Sequence, residues 1–135
     1  MGLNYMPKFG TRSKSRLHTC DERLQDLFEE VVKSFDCSVI EGHRGKEKQN
    51  AAYDKGNSKL RYPKGKHNQI PSIAVDVIPY PIDWEDRDRM HYFAGFVLGI
   101  AKKMKLKIRW GGDWNMDTHT KDNRFHDLVH FEIKE

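Results

Sequence analysis

The sequence predicts an α+β fold: a small, mainly antiparallel sheet with helices packed on one side. Two observations predict the helices and one the sheet. Leu24, Leu27, Phe28, Val31 and Phe35 keep one helical face apolar, and so do Met90, Phe93, Ala94, Val97, Ala101 and Met104. Short segments near residues 38, 73, 108 and 130 read as strands, the second and last with apolar and polar residues in alternation. The order is helix, strand, helix, strand, helix, strand, strand. At 135 residues the chain is expected to form one domain, 1–135, large enough for a core without disulfides.

The elements follow in order. Met1–Leu17 is basic and lacks periodicity, so it reads as a loosely held arm, pinned by Tyr5 and Phe9. Thr19-Cys20-Asp21-Glu22 matches a capping box, in which hydroxyl and carboxylate satisfy free amides at a helix start. The helix that follows is expected to end near Ser34. Ser38–Glu41 reads as a strand delivering Gly42-His43-Arg44. Lys46–Lys55 reads as a helix stopped by Gly56. Asn57–Gln69 is a long polar and basic loop, a length often tied to function. Ser72–Val77 is the next strand, after which Pro79 and Pro81 break regular structure. Asp83 is the expected cap of a helix over Glu85–Lys105. Ile108–Trp110 then forms a strand, Gly111-Gly112-Asp113-Trp114 a turn, Asn115–Arg124 a second polar loop, and Val129–Ile133 the last strand.

Composition narrows the function classes. The longest apolar run, Phe93–Ala101, is too short and interrupted to span a bilayer. No N-terminal stretch has the order of a signal peptide, so synthesis in the cytoplasm without stable membrane insertion is expected. Cys20 and Cys37 are too far apart for a Cys-x-x-Cys motif and read as free, buried or half-buried thiols. The net charge of +4 favours a polyanionic partner, nucleic acid or an anionic cell wall.

Two stretches carry chemistry. In Ser72–Val77, Ile73, Val75 and Val77 alternate with Ser72, Ala74 and Asp76; in Val129–Ile133, Val129, Phe131 and Ile133 alternate with His130 and Glu132. Each strand buries aliphatic residues on one face and presents a carboxylate or imidazole on the other. If the strands are neighbours, His67, Asp76 and His130 converge on one ion. Two imidazoles and a carboxylate with a fourth position open is the donor set of catalytic zinc. Any of the seven histidines taken alone is more simply a surface residue.

Lys66–Asp76 resembles the His-x-x-Gly-x-Ala-x-Asp signature of zinc peptidases that include D-alanyl-D-alanine carboxypeptidases, vancomycin-resistance dipeptidases and phage L-alanyl-D-glutamate endolysins. Asp127-Leu128-Val129-His130 resembles that family's acid-x-x-His element. The endolysin branch is the most similar, through Gly42-His43-Arg44, Trp84 and Gly112-Asp113-Trp114-Asn115. The similarity is patchy from about Leu24 to Glu132. This chain departs from the signature by two extra residues between His67 and Asp76, by Ser72 in place of Gly, and by Gly65 in place of Ser.

The resemblance implies a hedgehog/D-Ala-D-Ala peptidase-like fold and one Zn2+ held by His67, Asp76 and His130. It implies Asp127 as general base toward water and then acid toward the leaving amine, and Arg44 as the group that stabilises carbonyl charge or holds a substrate carboxylate. A turn carboxylate and a solvated arginine are the plainer alternatives for these two. Glu132 is a candidate to orient an imidazole or is simply exposed. His126 is the substitute ligand should the longer loop displace His67. His119 is spare, and His18, His43 and His91 read as structural or surface residues.

The function implied is a zinc peptidase cutting bacterial peptidoglycan stem peptides at L-alanyl-D-glutamate, a monomeric phage endolysin waiting in the host cytoplasm. The rivals are a D-alanyl-D-alanine carboxypeptidase or dipeptidase, and a noncatalytic wall-binding module that keeps the zinc. A nucleic-acid-binding domain is disfavoured, because the basic residues are spread along the chain and no recognised motif appears.

Overall fold

The computed structural model describes residues 6–135. Its helices are α1 (Thr11–Leu17), α2 (Glu22–Val32), α3 (Lys46–Asp54) and α4 (Arg87–Lys103). Its strands are β1 (Cys37–Glu41), β2 (Ala74–Pro79), β3 (Ile108–Gly111) and β4 (Asp127–Ile133), and a 3-10 turn covers Lys66–Asn68. The strands form one sheet in the order β1-β2-β4-β3, with every neighbouring pair antiparallel. The expected α+β class and sheet are therefore present.

Helices α2 and α4 cover one face of the sheet. Leu24, Leu27, Phe28 and Val31 of α2 and Phe93, Ala94 and Val97 of α4 are buried together with Val75, Val77 and Phe131. Phe131 is the meeting point. Phe28 and Phe93 approach its ring edge-on, with centroids 5.4 and 6.1 Å away, the geometry that aromatic quadrupoles favour. Because side chains alternate along a strand, burying Val129, Phe131 and Ile133 on this face sends His130 and Glu132 to the other. Helix α3 borders that second, polar face, where its buried Gln49 meets Arg44.

The N-terminal reading needs correction. The stretch taken as a loose arm holds α1, and α1 closes the outer edge of β1. Ser13 Oγ accepts the Val39 amide at 3.0 Å, and the Arg16 guanidinium donates to the Val39 carbonyl at 3.0 Å. These bonds satisfy edge groups that would otherwise invite another strand. Phe9 and Leu17 are buried as anchors; Tyr5 lies outside the described residues.

The capping box is also absent. Asp21 caps α2 through the Arg23 amide, while the Thr19 hydroxyl donates to the Arg16 carbonyl and accepts the His43 amide. Likewise Asp86, not Asp83, caps α4. An Asp or Thr close to a helix start has several amides within reach, so the tertiary path decides which it takes. Gly56 ends α3 as expected, with φ of +81° in the left-handed region that glycine adopts without strain.

Candidate active site

Strands β2 and β4 are central neighbours, and their register sets Asp76 directly opposite His130. The polar faces inferred from the two alternations thus meet. His67 comes from the 3-10 turn, tied to the Arg44 amide by its carbonyl at 2.8 Å. All three side chains are buried. Their donor atoms lie within 4.8 Å of one another: His67 Nε2 is 3.1 Å and His130 Nδ1 3.3 Å from Asp76 Oδ1.

The far side of each ring fixes which nitrogen is available. His67 Nδ1 lies 2.7 Å from the Gly42 carbonyl, which can only accept, so Nδ1 carries hydrogen and Nε2 faces the cluster. His130 Nε2 lies 2.8 Å from Glu132 Oε1, so Nε2 donates and Nδ1 faces inward. Glu132 is held in turn by Arg109, through contacts of 2.8 and 3.2 Å. Carbonyl-to-imidazole and carboxylate-to-imidazole pairs of this kind orient metal-binding histidines. The donor set fits a zinc or similar transition-metal ion, with two neutral imidazole nitrogens and one carboxylate oxygen.

Asp127 joins the cluster through an irregularity in the sheet. Residues three apart on a regular strand face opposite ways. Here Trp110 pairs with Phe131 but Gly111 pairs with Asp127, so the ladder breaks between them. The break brings Asp127 Oδ2 to 4.0 Å from His130 Nδ1, with the carboxylate 28% exposed. A second break, between Val39 and Glu41, sets Glu41 beside Asp76. Bulges of this type re-aim side chains near active sites. The same stretch of β3 requires glycine: a Cβ on Gly111 would collide with the Asp127 carbonyl.

The electrostatics follow from crowding four charged or chargeable groups. Burial works against the Asp76 charge, but the electrostatic attraction of His67 and the contacts to both imidazoles outweigh it, so its pKa falls well below the carboxylate range. Burial pushes Asp127 up, and the Asp76 charge adds to this, giving a pKa of about 6. Burial opposes a charged His130, yet the bonds to Asp76 and Glu132 raise it to about 10 in the absence of metal.

Arg44 spans the cleft wall. Its guanidinium donates to Glu41 at 3.3 Å, Gln49 at 3.1 Å and Asp76 at 3.5 Å, leaving two of its five N–H groups for other partners. A cavity of about 370 Å³ opens beside the cluster, bounded by Arg44, Lys59, Arg109, Trp114, Phe125 and Asp127 among others.

His126 does not join the cluster; its Nε2 lies 3.1 Å from the Asn123 carbonyl. His119 is exposed. Asp113 accepts the Asp117 and Thr118 amides and so shapes the following loop. Sequence reasoning missed Gln49, Asn68 and Arg109. Arg109 was findable, since it alternates with Ile108 and Trp110 and so faces the same way as Glu132. Gln49, which binds Arg44 and receives the Asn68 amide, left no signal in a polar helix.

Fold and site together define a small α+β protein with a buried cluster of two histidines and one carboxylate, suited to holding a metal ion, next to an open cleft. A family described as phage L-alanyl-D-glutamate peptidase matches residues 5–134, and the chain belongs to that family. It is 32% identical over 116 residues to the L-alanyl-D-glutamate peptidase of Escherichia phage T5, covering 80% of this chain and 82% of that protein. The crystal structure of the Serratia marcescens L-Ala D-Glu endopeptidase ChiX shares the fold, with a TM-score of 0.73 and 23% identity over 99% of this chain and 96% of that one.

Proposed function

We propose that the protein is a zinc-dependent peptidoglycan peptidase of the phage endolysin type, hydrolysing the L-alanyl-D-glutamate bond of the stem peptide. The observation that supports it most is the arrangement of His67, Asp76 and His130, with each imidazole turned inward by a bond on its far side. Family membership supplies the bond and the substrate.

His67, Asp76 and His130 are the residues that would hold the ion. Bound zinc supplies Lewis acidity, which lowers the pKa of water to about 7 in favourable sites. Asp127 is the base. Its pKa of about 6 leaves it ionised at neutral pH yet basic enough to accept a proton from the attacking water. Attack converts the amide carbonyl carbon to a tetrahedral centre and places negative charge on its oxygen. Arg44, with two N–H groups unused by its three partners, stabilises that oxygen or a neighbouring substrate carboxylate. Asp127 then returns its proton to the amide nitrogen, which leaves as the amine of D-glutamate, and a carboxylate remains on L-alanine.

One chain provides every group named, which supports reading the enzyme as a monomer. It acts on the cell wall after waiting in the host cytoplasm, and no helix among the described residues is long and apolar enough to cross a membrane.

The test is digestion of purified peptidoglycan, with new amino termini identified by mass spectrometry, in the presence and absence of chelator. A glutamate amine that disappears with chelator and returns with added zinc is expected. Released D-alanine would move the protein to the carboxypeptidase branch. No new terminus despite bound zinc would favour a noncatalytic wall-binding module.

A further inference from the structure

We propose that Lys102, Lys103, Lys105 and Lys107 form a second wall-binding surface, outside the catalytic cleft, that engages carboxylates of neighbouring stem peptides in the polymer. This inference rests on the peptidoglycan reading above.

All four lysines are exposed. They leave the end of α4 and lead into the edge strand β3. No acidic residue occurs between Asp88 and Asp113, and among the described residues none of the four takes part in an ion pair. Their combined charge equals the +4 surplus of the whole chain. A surplus gathered at one place concentrates the field that attracts a polyanion.

Local structure explains only part of the cluster. Lys102 and Lys103 sit in the last turn of α4, where cations suit the helix dipole. Lys105 has a φ of 63°, the left-handed conformation in which glycine or asparagine is usual after a helix. Backbone geometry therefore disfavours lysine there, and its charge is the property that remains to be explained.

Lys102, Lys105 and Lys107 border a surface hollow of about 500 Å³ that also includes Leu98, Ile108, Trp110 and the buried Asp113. Arg109, between Ile108 and Trp110, lines the catalytic cleft instead. The two surfaces thus lie on opposite faces of one short strand, so wall held at the lysines stays near the cleft. Lysine is a point charge suited to scattered carboxylates rather than to a fixed bidentate partner. Single-stranded nucleic acid would also need exposed aromatic rings for stacking, and Trp110 is only 5% exposed.

The experiment compares two quadruple variants of equal net charge. One carries Lys→Gln at 102, 103, 105 and 107; the other carries Lys→Gln at the exposed positions 8, 14, 33 and 121. Each is measured for co-sedimentation with sacculi and for hydrolysis of a short soluble peptide with one L-alanyl-D-glutamate bond. The first variant is expected to bind sacculi roughly tenfold more weakly, with a shallower salt dependence, and to cut the soluble peptide at the wild-type rate. The second is expected to bind like wild type. Equal losses in both variants, or no loss in the first, would overturn the proposal. Transfer of the salt-sensitive binding from sacculi to DNA would overturn it in favour of nucleic acid. Failure of the wild-type protein to cut the soluble peptide would count against the enzymatic reading alone, because sacculus binding is read independently.

Discussion

Each imidazole in the cluster is aimed by the hydrogen bond behind it, so the groups behind are as testable as the ligands. Glu132 accepts from His130 Nε2 and is itself gripped by Arg109. Glu132→Gln keeps the shape but removes the charge. Zinc affinity is expected to fall roughly tenfold, the lower end of the range for such partners, in competition with a chromophoric chelator. Unchanged affinity in a variant with a wild-type circular dichroism spectrum would reduce the Arg109–Glu132 pair to a packing role. Asp127 makes the opposite case. Asp127→Asn should keep zinc but lower kcat/KM by about 10² to 10⁴, the usual worth of a positioned acid–base group. The wild-type acid limb should fall at or below pH 6, since the carboxylate titrates at about 6 without metal and a nearby cation favours its ionised form. Asp127→Asn should lose that limb. Retention of the limb in Asp127→Asn would assign it to another group.

At the scale of elements, the site depends on where the sheet stops being regular. Period-2 alternation places Asp76 and His130 each on the polar face of its own strand, and the pairing of β2 with β4 makes that one face. The break that brings Asp127 back beside His130 is not legible in β4 alone, because it arises from pairing with β3 across Gly111. The same holds for α1. Its residues show no apolar stripe, and its helix is held by Val39 of a strand more than 20 residues later. Thr19 fits the capping pattern through its neighbours, yet its hydroxyl accepts the His43 amide across the chain. Local signals thus located the donor cluster, whereas the supports that aim its side chains are tertiary. Gly111→Ala tests the distinction. The new Cβ meets backbone, the Asp127 carbonyl, which cannot rotate away. Asp127 must shift while His130, three residues further along β4 and paired with Asp76 of β2, keeps its register. Hydrolysis is expected to fall by about 10²-fold, the cost of misplacing a reacting group by about 1 Å, with zinc affinity near wild type. Equal loss of zinc would show that the break supports the ligands too.

For the whole molecule, metal, proton and fold are one linked equilibrium. In the metal-free chain the hydrogen bonds to Asp76 and Glu132 overcome burial and raise His130 to about 10, above its unfolded value of about 6.5. A raised pKa means that the folded chain holds its proton more tightly than the unfolded chain. The stability from that proton is therefore full below pH 6.5 and is lost as pH rises toward 10. Zinc needs the same nitrogen deprotonated, so it must displace about one proton per ion at neutral pH. Two consequences carry opposite signs. The metal-free protein should lose stability between pH 7 and 8.5, and over the same range the stabilisation by zinc at fixed free concentration should grow by about 1.4 kcal/mol per pH unit, the linkage value for one proton. Denaturant unfolding with buffered zinc and with chelator measures both. Calorimetry in buffers of different ionisation enthalpy counts the released proton directly. A gap between the two forms that does not change with pH would mean that His130 is already neutral in the metal-free fold. Glu132 and Asp76 would then position the ring without charging it, and the cost of removing the metal would be the same at pH 7 and pH 8.5.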